Sequence, residues 1–228
     1  MHLLSHKGDE KCAKLGGVCV DDSISYCSGS YVSHACSGGA HHRCCLAKHT
    51  LVDIGDCSDF NVTIVSRDSW GARRPTVIET IHLPVPWVFI HHGGHECQSL
   101  DTCASSALGI QKYHMNSRKY WDIAYSFLVG GDGRVYEARG WHHRGGHTHG
   151  YNTKSIAVCV LGNYMERLPS RSTLDVIHRL LACAAARGKI SHNYRLYGHR
   201  DVRATACPGT QLYNEIKTWT HYSTVKPG

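Results

Sequence analysis

The chain has 228 residues, of which 42% are hydrophobic and 19% are charged, and its formal net charge is +7 with neutral histidines. This composition excludes a disordered chain, and no apolar run approaches the roughly 20 residues that span a bilayer. The length allows one large domain, or an ordinary domain with a small module. This small positive net charge is compatible with binding to anionic bacterial envelopes or to nucleic acid, and it does not distinguish between these two partners.

The first fifty residues are dense in cysteine. They have almost no aliphatic run, so this segment needs covalent staples in place of a buried core. A structural zinc cluster is the competing interpretation, but such clusters favour CxxC pairs, which the sequence lacks. We therefore predict a disulfide-rich module over residues 1–50 and an oxidising, extracellular location. Its cysteines are Cys12, Cys19, Cys27, Cys36, Cys44 and Cys45.

From Cys57 onwards, strand and helix patterns follow one another. The first predicted strand begins at a proline and delivers His91 at its end. A Gly-Asp-Gly turn joins the next two strands, and the strand after them is nearly all apolar, as in a sheet covered on both faces. Strands mixed with helices predict one α/β domain around a central sheet. In chain order, we predict strand 86–90, helix 105–115 after a start signal at Ser99, strands 123–130, 133–137 and 155–161, and helices 174–186 and 210–219.

Three polar side chains stand out along these elements. His91 follows the buried strand, and His199 and Cys207 lie on a polar loop that leads into the last helix. Zinc accepts imidazole nitrogen and thiolate sulfur, and a catalytic zinc site uses three protein ligands with a fourth position open to water. On spacing alone, hydrogen-bonding histidines and a disulfide-bonded cysteine explain the same pattern.

Residues 57 to about 222 carry a series of sequence blocks in a recognisable order. They resemble the peptidoglycan recognition protein family, which is related to the phage-type N-acetylmuramoyl-L-alanine amidases. The resemblance implies an α/β fold with a central mixed β-sheet flanked by helices, over residues 51–228. The blocks are SWGAR at 69–73, FIHH at 89–92, QKYHM at 111–115, WDIAYSF at 121–127, YEARGW at 136–141, GNY at 162–164, GHRDV at 198–202 and TACPG at 205–209.

In this family the zinc ligands separate amidases from pure recognisers. The matching positions here are His91, His199 and Cys207, and all three keep a ligand residue. The resemblance therefore implies a zinc-dependent amidase that hydrolyses the lactyl-amide bond between MurNAc and L-Ala of the stem peptide. Tyr125 and Thr205 match the two assisting catalytic positions, and Tyr125 would donate a hydrogen bond to the oxyanion or orient the water.

The resemblance also implies a substrate groove with bacterial peptidoglycan as the partner. For Trp141, core packing is an equally weighted alternative. Arg139 matches the Arg of family members that bind diaminopimelate, and Lys119 adds a second cation, which favours diaminopimelate-type walls. The pair Lys119-Tyr120 matches neither of the usual discriminating pairs. The implied groove residues are His92, His114, Lys119, Tyr120, Arg139, Trp141, His147 and Asn152.

Both predicted parts of the chain, residues 1–50 and 51–228, carry cysteine patterns that resemble known disulfide frameworks. In the larger part, the resemblance implies two bridges, a metal-bound Cys207 and a buried free thiol at Cys159. The six-cysteine run at the start resembles β-defensins. The implied pairs are Cys97 with Cys103, Cys57 with Cys183, Cys12 with Cys44, Cys19 with Cys36, and Cys27 with Cys45.

Three other functions remain open at this point. The first is a recogniser that binds cell walls without cutting them. The second is a bactericidal defensin-like effector, although residues 1–50 hold five Lys or Arg against four acidic residues, a weak charge for membrane attack. The third is nucleic-acid binding, which no interleaved aromatic and basic pattern supports. We expect a secreted protein of innate immunity whose signal peptide has been removed, because residues 1–6 lack an apolar run.

Overall fold

The chain divides into two compact units, Met1–Ile54 and Gly55–Gly228, each with its own buried cluster. The architecture is that of a computed structural model. It describes residues 9–15, 17–21, 30–37, 42–46 and 57–228.

The first unit is a small disulfide-bonded sheet. Its elements are helix α1 (Glu10–Lys14) and strands β1 (Val18–Asp21), β2 (Ser30–Val32) and β3 (His42–Leu46). The strands are antiparallel in the order β1-β3-β2. The predicted bridges Cys12–Cys44 and Cys19–Cys36 are confirmed. Cys45 is also disulfide-bonded, but Cys27 lies outside the described residues, so their pairing stays a prediction.

Disulfide bonds, more than a hydrophobic core, stabilise this unit. The buried hydrophobic cluster of its described residues consists of Cys12, Ala35 and Cys44. One polar contact supports it, since the Asp9 carboxylate accepts hydrogen bonds from the backbone N and the Oγ of Ser37, at 2.9 and 2.6 Å. So small a cluster agrees with the expectation that the segment depends on staples.

The second unit is built on a six-stranded mixed sheet. Its strands are β4 (Ile64–Val65), β5 (Val85–Gly93), β6 (Phe127–Val129), β7 (Val135–Glu137), β8 (Ser155–Leu161) and β9 (Ile190–Gly198). Their order is β4-β7-β6-β8-β5-β9. Strands β6 and β7 pair antiparallel and all other neighbours pair parallel. The predicted α/β fold with a central mixed sheet is confirmed.

Helices cover the sheet, and the two longest begin at serine caps. The Oγ of Ser99 accepts a hydrogen bond from the backbone N of Thr102, and the Oγ of Ser170 accepts one from the backbone N of Thr173. The predicted helix 174–186 therefore starts at residue 171, three residues before the expected position, because Ser170 supplies the cap. The helices are α2 (Leu100–Lys112), α3 (Arg171–Ala186) and α4 (Thr210–Ile216), with a π-helical turn at Tyr113–Ser117 and 3-10 turns at Ser58–Phe60 and His199–Asp201.

Strand β8 lies in the middle of the sheet between β6 and β5, and all seven of its residues are buried, as predicted. One face packs on α3, and the other carries a second cluster that includes residues of α2. The predicted bridges Cys57–Cys183 and Cys97–Cys103 are confirmed. No helix among the described residues is long and apolar enough to cross a membrane.

Two strands were missed by the sequence patterns, and two, 123–130 and 133–137, were predicted too long. Strand β4 has only two residues. Strand β9 is an edge strand in which the buried Tyr194 stands among exposed polar residues, so it has no apolar run. The predicted strand 123–130 shortens to β6, because Asp122 holds its start in a loop. The Asp122 carboxylate accepts hydrogen bonds from the backbone N of Ile123 and from Nε2 of Gln111, both at 2.7 Å.

Candidate metal centre

Strand β5 carries two consecutive histidines towards its carboxyl end. His91 is 1% exposed and pairs in parallel register with Cys159 of β8. His92 is half-buried, and its Nδ1 accepts a hydrogen bond from the backbone N of Tyr164 at 3.1 Å. Both rings are therefore positioned by the middle of the sheet and not by a free loop.

The loop after β9 returns to the same place. It begins at the 3-10 turn, where the Asp201 carboxylate accepts a hydrogen bond from the backbone N of Gly198 at 2.7 Å. It ends at Gly209, which has a φ of 95°, and a Cβ there would lie 2.5 Å from the backbone of Tyr164 and 2.9 Å from Nδ1 of His92. Glycine is required because the loop packs so closely at a left-handed position. This close packing turns Cys207 towards β5.

These two segments bring three potential metal ligands together. One ligand atom each of His91, His199 and Cys207 lies within 4.8 Å of the other two. The Cys207 Sγ is 3.5 Å from Nδ1 of His91, and the His91 and His199 ring centroids are 4.6 Å apart. Cys207 and Cys159 are free thiols among the described cysteines. Two imidazoles and one thiol are a donor set that suits zinc with a fourth position left open.

Burial sets the protonation of this cluster. It lowers the pKa of His91 well below the usual value, with further lowering from the neighbouring histidines, and it also lowers the pKa of His199. Both imidazoles are therefore neutral at pH 7, which is the form that binds a metal. Burial raises the pKa of the Cys207 thiol to about 11. A thiolate there needs a nearby cation, and a divalent ion would supply it.

The cluster opens into a cavity of about 380 Å³, here called the metal cavity. Tyr125 lies in its wall, with its ring centroid 5.2 Å from that of His91. Burial raises the Tyr125 pKa well above its usual value, so its hydroxyl remains a donor. The exposed Thr205 accepts a hydrogen bond from the backbone N of Cys207 at 3.2 Å. The lining residues are His91, His92, Tyr113, His114, Arg118, Tyr120, Ala124, Tyr125, Gly146, His147, His199, Thr205, Ala206 and Cys207.

Four of the residues expected at the substrate lie in this lining: His92, His114, Tyr120 and His147. Burial lowers the pKa of His114 to about 4 and that of His147 to about 3. The Nδ1 of His114 accepts a hydrogen bond from the backbone N of Ala124 at 3.0 Å. The imidazoles that face the cavity are thus neutral and fixed.

Two charged residues expected at the substrate lie outside this lining. Lys119 is exposed beside the cavity, at a left-handed φ of 59°. Arg139 lies behind the cavity wall, with one guanidinium nitrogen 3.4 Å from the Cβ position of Gly146. Its guanidinium donates to the carbonyls of Ile123, Arg144 and Asp122, at 2.6, 2.6 and 3.3 Å. Arg139 therefore braces loops, because those carbonyls already hold three of its donors.

The other two expected groove residues also serve the fold. Trp141 is 3% exposed and packs on Phe127 with ring centroids 4.1 Å apart, so the structure supports the core-packing alternative. The Oδ1 of Asn152 accepts hydrogen bonds from the backbone N of His147 and of Thr148, at 3.0 and 2.8 Å. Asn152 therefore shapes the loop beside the metal cluster and does not face the cavity.

Sequence patterns missed three residues of this site. Tyr113 and Arg118 line the cavity from the end of α2 and the turn that follows it. Thr148 is fully buried, and its Oγ1 lies 3.3 Å from Nε2 of His91 and 2.9 Å from Nδ1 of His147. The only available signal for Thr148 was its place next to a predicted groove histidine, and nothing singled out Arg118 over Lys119.

Comparison with known proteins agrees with this fold. The sequence profile of the N-acetylmuramoyl-L-alanine amidase family matches residues 82–210. A peptidoglycan recognition protein of Trichoplusia ni is 42% identical over 169 residues, which are 74% of this chain and 90% of that protein. Peptidoglycan recognition protein 1 of Mus musculus is 42% identical over 161 residues, 70% of this chain and 88% of the mouse protein.

The chain belongs to the peptidoglycan recognition protein family.

Solved structures of the family superpose on most of the chain. Wild-type Drosophila PGRP-LB has a TM-score of 0.71 at 38% identity, with 73% of this chain and 99% of that chain covered. Peptidoglycan recognition protein LE, solved in complex with tracheal cytotoxin, a monomeric diaminopimelic acid-type peptidoglycan, has a TM-score of 0.70 at 39% identity. That superposition covers 72% of this chain and 97% of the other.

Proposed function

We propose that this protein is a zinc-dependent N-acetylmuramoyl-L-alanine amidase of innate immunity that binds bacterial peptidoglycan and cuts the lactyl-amide bond between MurNAc and L-Ala. One observation carries the proposal: His91, His199 and Cys207 converge at the floor of an open cavity. A member that only recognises peptidoglycan has no need of three converging ligands. Their neutral imidazoles and partly buried thiol suit a divalent metal better than they suit an empty pocket.

Zinc would be held by Nδ1 of His91, by one ring nitrogen of His199 and by the Cys207 sulfur. When bound, zinc lowers the pKa of a water ligand to near 7 and polarises a carbonyl oxygen. The chain's own residues supply orientation. Tyr125 keeps its proton and donates to the oxygen of the reacting amide as negative charge develops there. Thr205 fixes the backbone of Cys207 and presents its hydroxyl at the cavity mouth.

Thr148 is proposed to orient the first ligand from behind. If Nδ1 of His91 gives its lone pair to the metal, Nε2 carries the proton and donates to Oγ1 of Thr148. The Thr148 hydroxyl then donates to Nδ1 of His147. Partners that hold the remote nitrogen of a metal-bound histidine fix both its tautomer and its orientation. The sequence predicted that His147 and Asn152 contact the substrate. In this proposal they support the metal ligand His91 through Thr148.

The rest of the cavity suits the stem peptide of peptidoglycan. Neutral His92 and His114 offer hydrogen bonds, and Tyr120 offers an aromatic surface. Arg118 lines the cavity, its guanidinium lies 5.9 Å from the Tyr120 ring centroid, and no carboxylate among the described residues pairs with it. Diaminopimelate differs from lysine by one carboxylate, which a guanidinium without an ion-pair partner binds, and hydrogen bonds to the Tyr120 and Tyr113 side chains hold Arg118 at the cavity. We therefore favour diaminopimelate-type walls, with Arg118 as the cation in place of Lys119 and Arg139.

An extracellular location fits the cysteine chemistry. Both units contain disulfide bonds among their described residues. Such bonds form in oxidising compartments and are rare in reducing ones. The proposed substrate is found on bacterial surfaces, so secretion would bring the protein to its target.

The deciding experiment measures release of stem peptide from purified diaminopimelate-type peptidoglycan by mass spectrometry. It uses the full zinc-loaded chain, the same chain with a chelator, and the C207S variant. We expect the wild type to release a peptide with an alanine amino terminus, and the chelated and variant proteins to release none that is detectable. Bound zinc, measured by mass spectrometry of the metal, should fall below one equivalent in C207S, since one ligand of three is lost.

A pull-down on the same walls separates the amidase from a recogniser. A wild type that carries zinc and sediments with the walls, yet releases no peptide, would place the protein among the non-catalytic members. Unchanged release of stem peptide by C207S would contradict the proposed zinc ligands and would show that another site carries the amidase activity.

A further inference from the structure

A second cavity, of about 390 Å³, lies beside the metal cavity, and the two linings share no residue. Trp87 forms part of its wall and precedes His91 by four residues on β5. Side chains alternate along a strand, so both residues lie on one face of the sheet, about 13 Å apart at about 3.3 Å per residue. The lining residues are Trp87, His149, Gly150, Tyr151, Thr153, Lys154, Val202, Arg203, Pro227 and Gly228.

Its side chains carry charge of one sign, so we call it the cationic cavity. Lys154, Arg203 and His149 are all exposed around it, and among the described residues none of the side chains that line it is acidic. Gly228, the last residue of the sequence, also lines the cavity, and its carboxylate forms no ion pair with Lys154 or Arg203. The carboxylate of Asp201 accepts hydrogen bonds from Tyr213 and Tyr222 at 2.6 and 3.0 Å. No ion pair of Lys154 or Arg203 exists within the part of the chain that the structure describes.

An aromatic wall holds one of the cations in place. The Lys154 ammonium lies 5.7 Å from the centroid of the Trp87 ring, and Tyr151 packs edge-on against the same ring at 5.8 Å. A cation–π contact keeps the ammonium positioned without neutralising it. The site therefore combines free positive charge with a flat apolar surface, which is the chemistry that binds an anionic sugar.

The loops of the metal cavity also bound the cationic cavity. The segment that carries Gly146 and His147 in the first continues to His149, Gly150 and Tyr151 in the second. The segment that carries His199 and Cys207 contributes Val202 and Arg203. A long polymer bound at one cavity could therefore reach the other, whereas a single small ligand could not fill both.

We propose that the cationic cavity is a second binding site, which takes an anionic sugar unit of a carbohydrate polymer. The anionic group is a phosphate or a carboxylate, and Lys154 and Arg203 bind it while the half-buried Tyr151 contacts the sugar. Trp87, which is 9% exposed, supports the Lys154 ammonium. The site works independently of hydrolysis at the metal, so its test does not depend on the proposed amidase activity.

The experiment compares two double variants of the full chain by calorimetric titration in chelator at low salt. K154Q/R203Q removes the two cations of the cavity. K112Q/R171Q is the matched control, because it removes the same charge from exposed positions on α2 and α3 outside both cavities. The probes are poly(glycerol phosphate), polygalacturonate and neutral dextran, so that phosphate and carboxylate sources are tested separately.

We expect at least one anionic probe to bind the wild type, with dextran much weaker. The affinity should fall about tenfold in K154Q/R203Q and less than twofold in the control. The probe that binds identifies the anionic group. Equal loss in both double variants would show attraction to the overall net charge and overturn the site. Unchanged affinity in K154Q/R203Q, or no binding of either polymer to the wild type, would also overturn it.

Discussion

The metal cavity and the cationic cavity lie along one face of β5, and they hold their polar groups in different ways. In the first, burial keeps His91, His114 and His147 neutral, and each ring has a hydrogen-bond contact with the backbone or with a neighbouring side chain. In the second, Lys154 and Arg203 remain solvated and charged. Desolvated groups are ordered and suit chemistry at a metal, whereas solvated charges suit reversible attraction that salt weakens.

We expect the largest effect on activity from removal of the Tyr125 hydroxyl in the metal cavity. Y125F removes a buried donor while the three ligands remain, so we expect kcat for peptide release to fall by about 10²–10³ with bound zinc unchanged. Steady-state kinetics and metal analysis on the same preparation measure both quantities. The control is Y194F, which removes a hydroxyl from a tyrosine stacked on His221, outside both cavities. Activity within twofold of wild type in Y125F would remove the tyrosine from the mechanism.

The next largest effect is expected at Thr148. T148V keeps the shape but loses the hydroxyl between His91 and His147, so the zinc affinity should fall about 10- to 100-fold. Competition with a chromophoric chelator measures this affinity without any turnover. T148S restores the hydroxyl and should restore most of the affinity, which separates the hydrogen bond from packing. Equal zinc affinities for wild type and T148V would show that the Thr148 hydroxyl does not orient His91.

His114 makes stability depend on pH. Its pKa of about 4 lies below the value near 6.5 that a histidine has in the unfolded chain. Between these two pH values the ring is protonated in the unfolded state and neutral in the folded state. Stability from this group is full above pH 6.5 and is lost as the pH falls towards 4. We expect a loss of about 1 to 2 kcal/mol between pH 7 and 4.5, after allowance for the solvent around this half-buried ring.

The H114Q variant isolates that contribution. Its amide oxygen can still accept from the backbone N of Ala124, but it does not titrate in this range. Urea unfolding in chelator at pH 7 and pH 4.5 should show a smaller acid loss for H114Q than for wild type. The same loss in both proteins would assign the acid sensitivity to other groups.

The smallest effect concerns Arg118, the exposed cation of the metal cavity. R118Q should lower the preference for diaminopimelate-type over lysine-type peptidoglycan about threefold, since solvent screens an exposed charge pair. K119Q removes a charge from the next residue, which does not line the cavity, and should leave the preference unchanged. The ratio of kcat/KM on the two wall types measures this. Equal ratios in R118Q and wild type would remove Arg118 from discrimination.

Much of the fold and of the metal cluster was accessible from the sequence. The apolar run of β8 and the serine-capped periodicity of α2 and α3 are local signals, and they appear in the structure with shifts of a few residues at their ends. The order of the blocks along the chain identified the family. With it came His91, His199 and Cys207 as one set, although the last two lie more than a hundred residues from the first.

Other properties were decided only by the tertiary structure. Arg139 was predicted as a substrate cation, and only the fold shows that carbonyls of two separate segments hold three of the five donors of its guanidinium. Arg118 and Lys119 are adjacent, and only the turn after α2 decides which of them faces the cavity. Thr148 gains its position from strand β5, far away in the sequence. Residue type and spacing determine what a side chain can bind. Which side chains remain available to a ligand depends on backbone and side-chain partners that are distant in sequence.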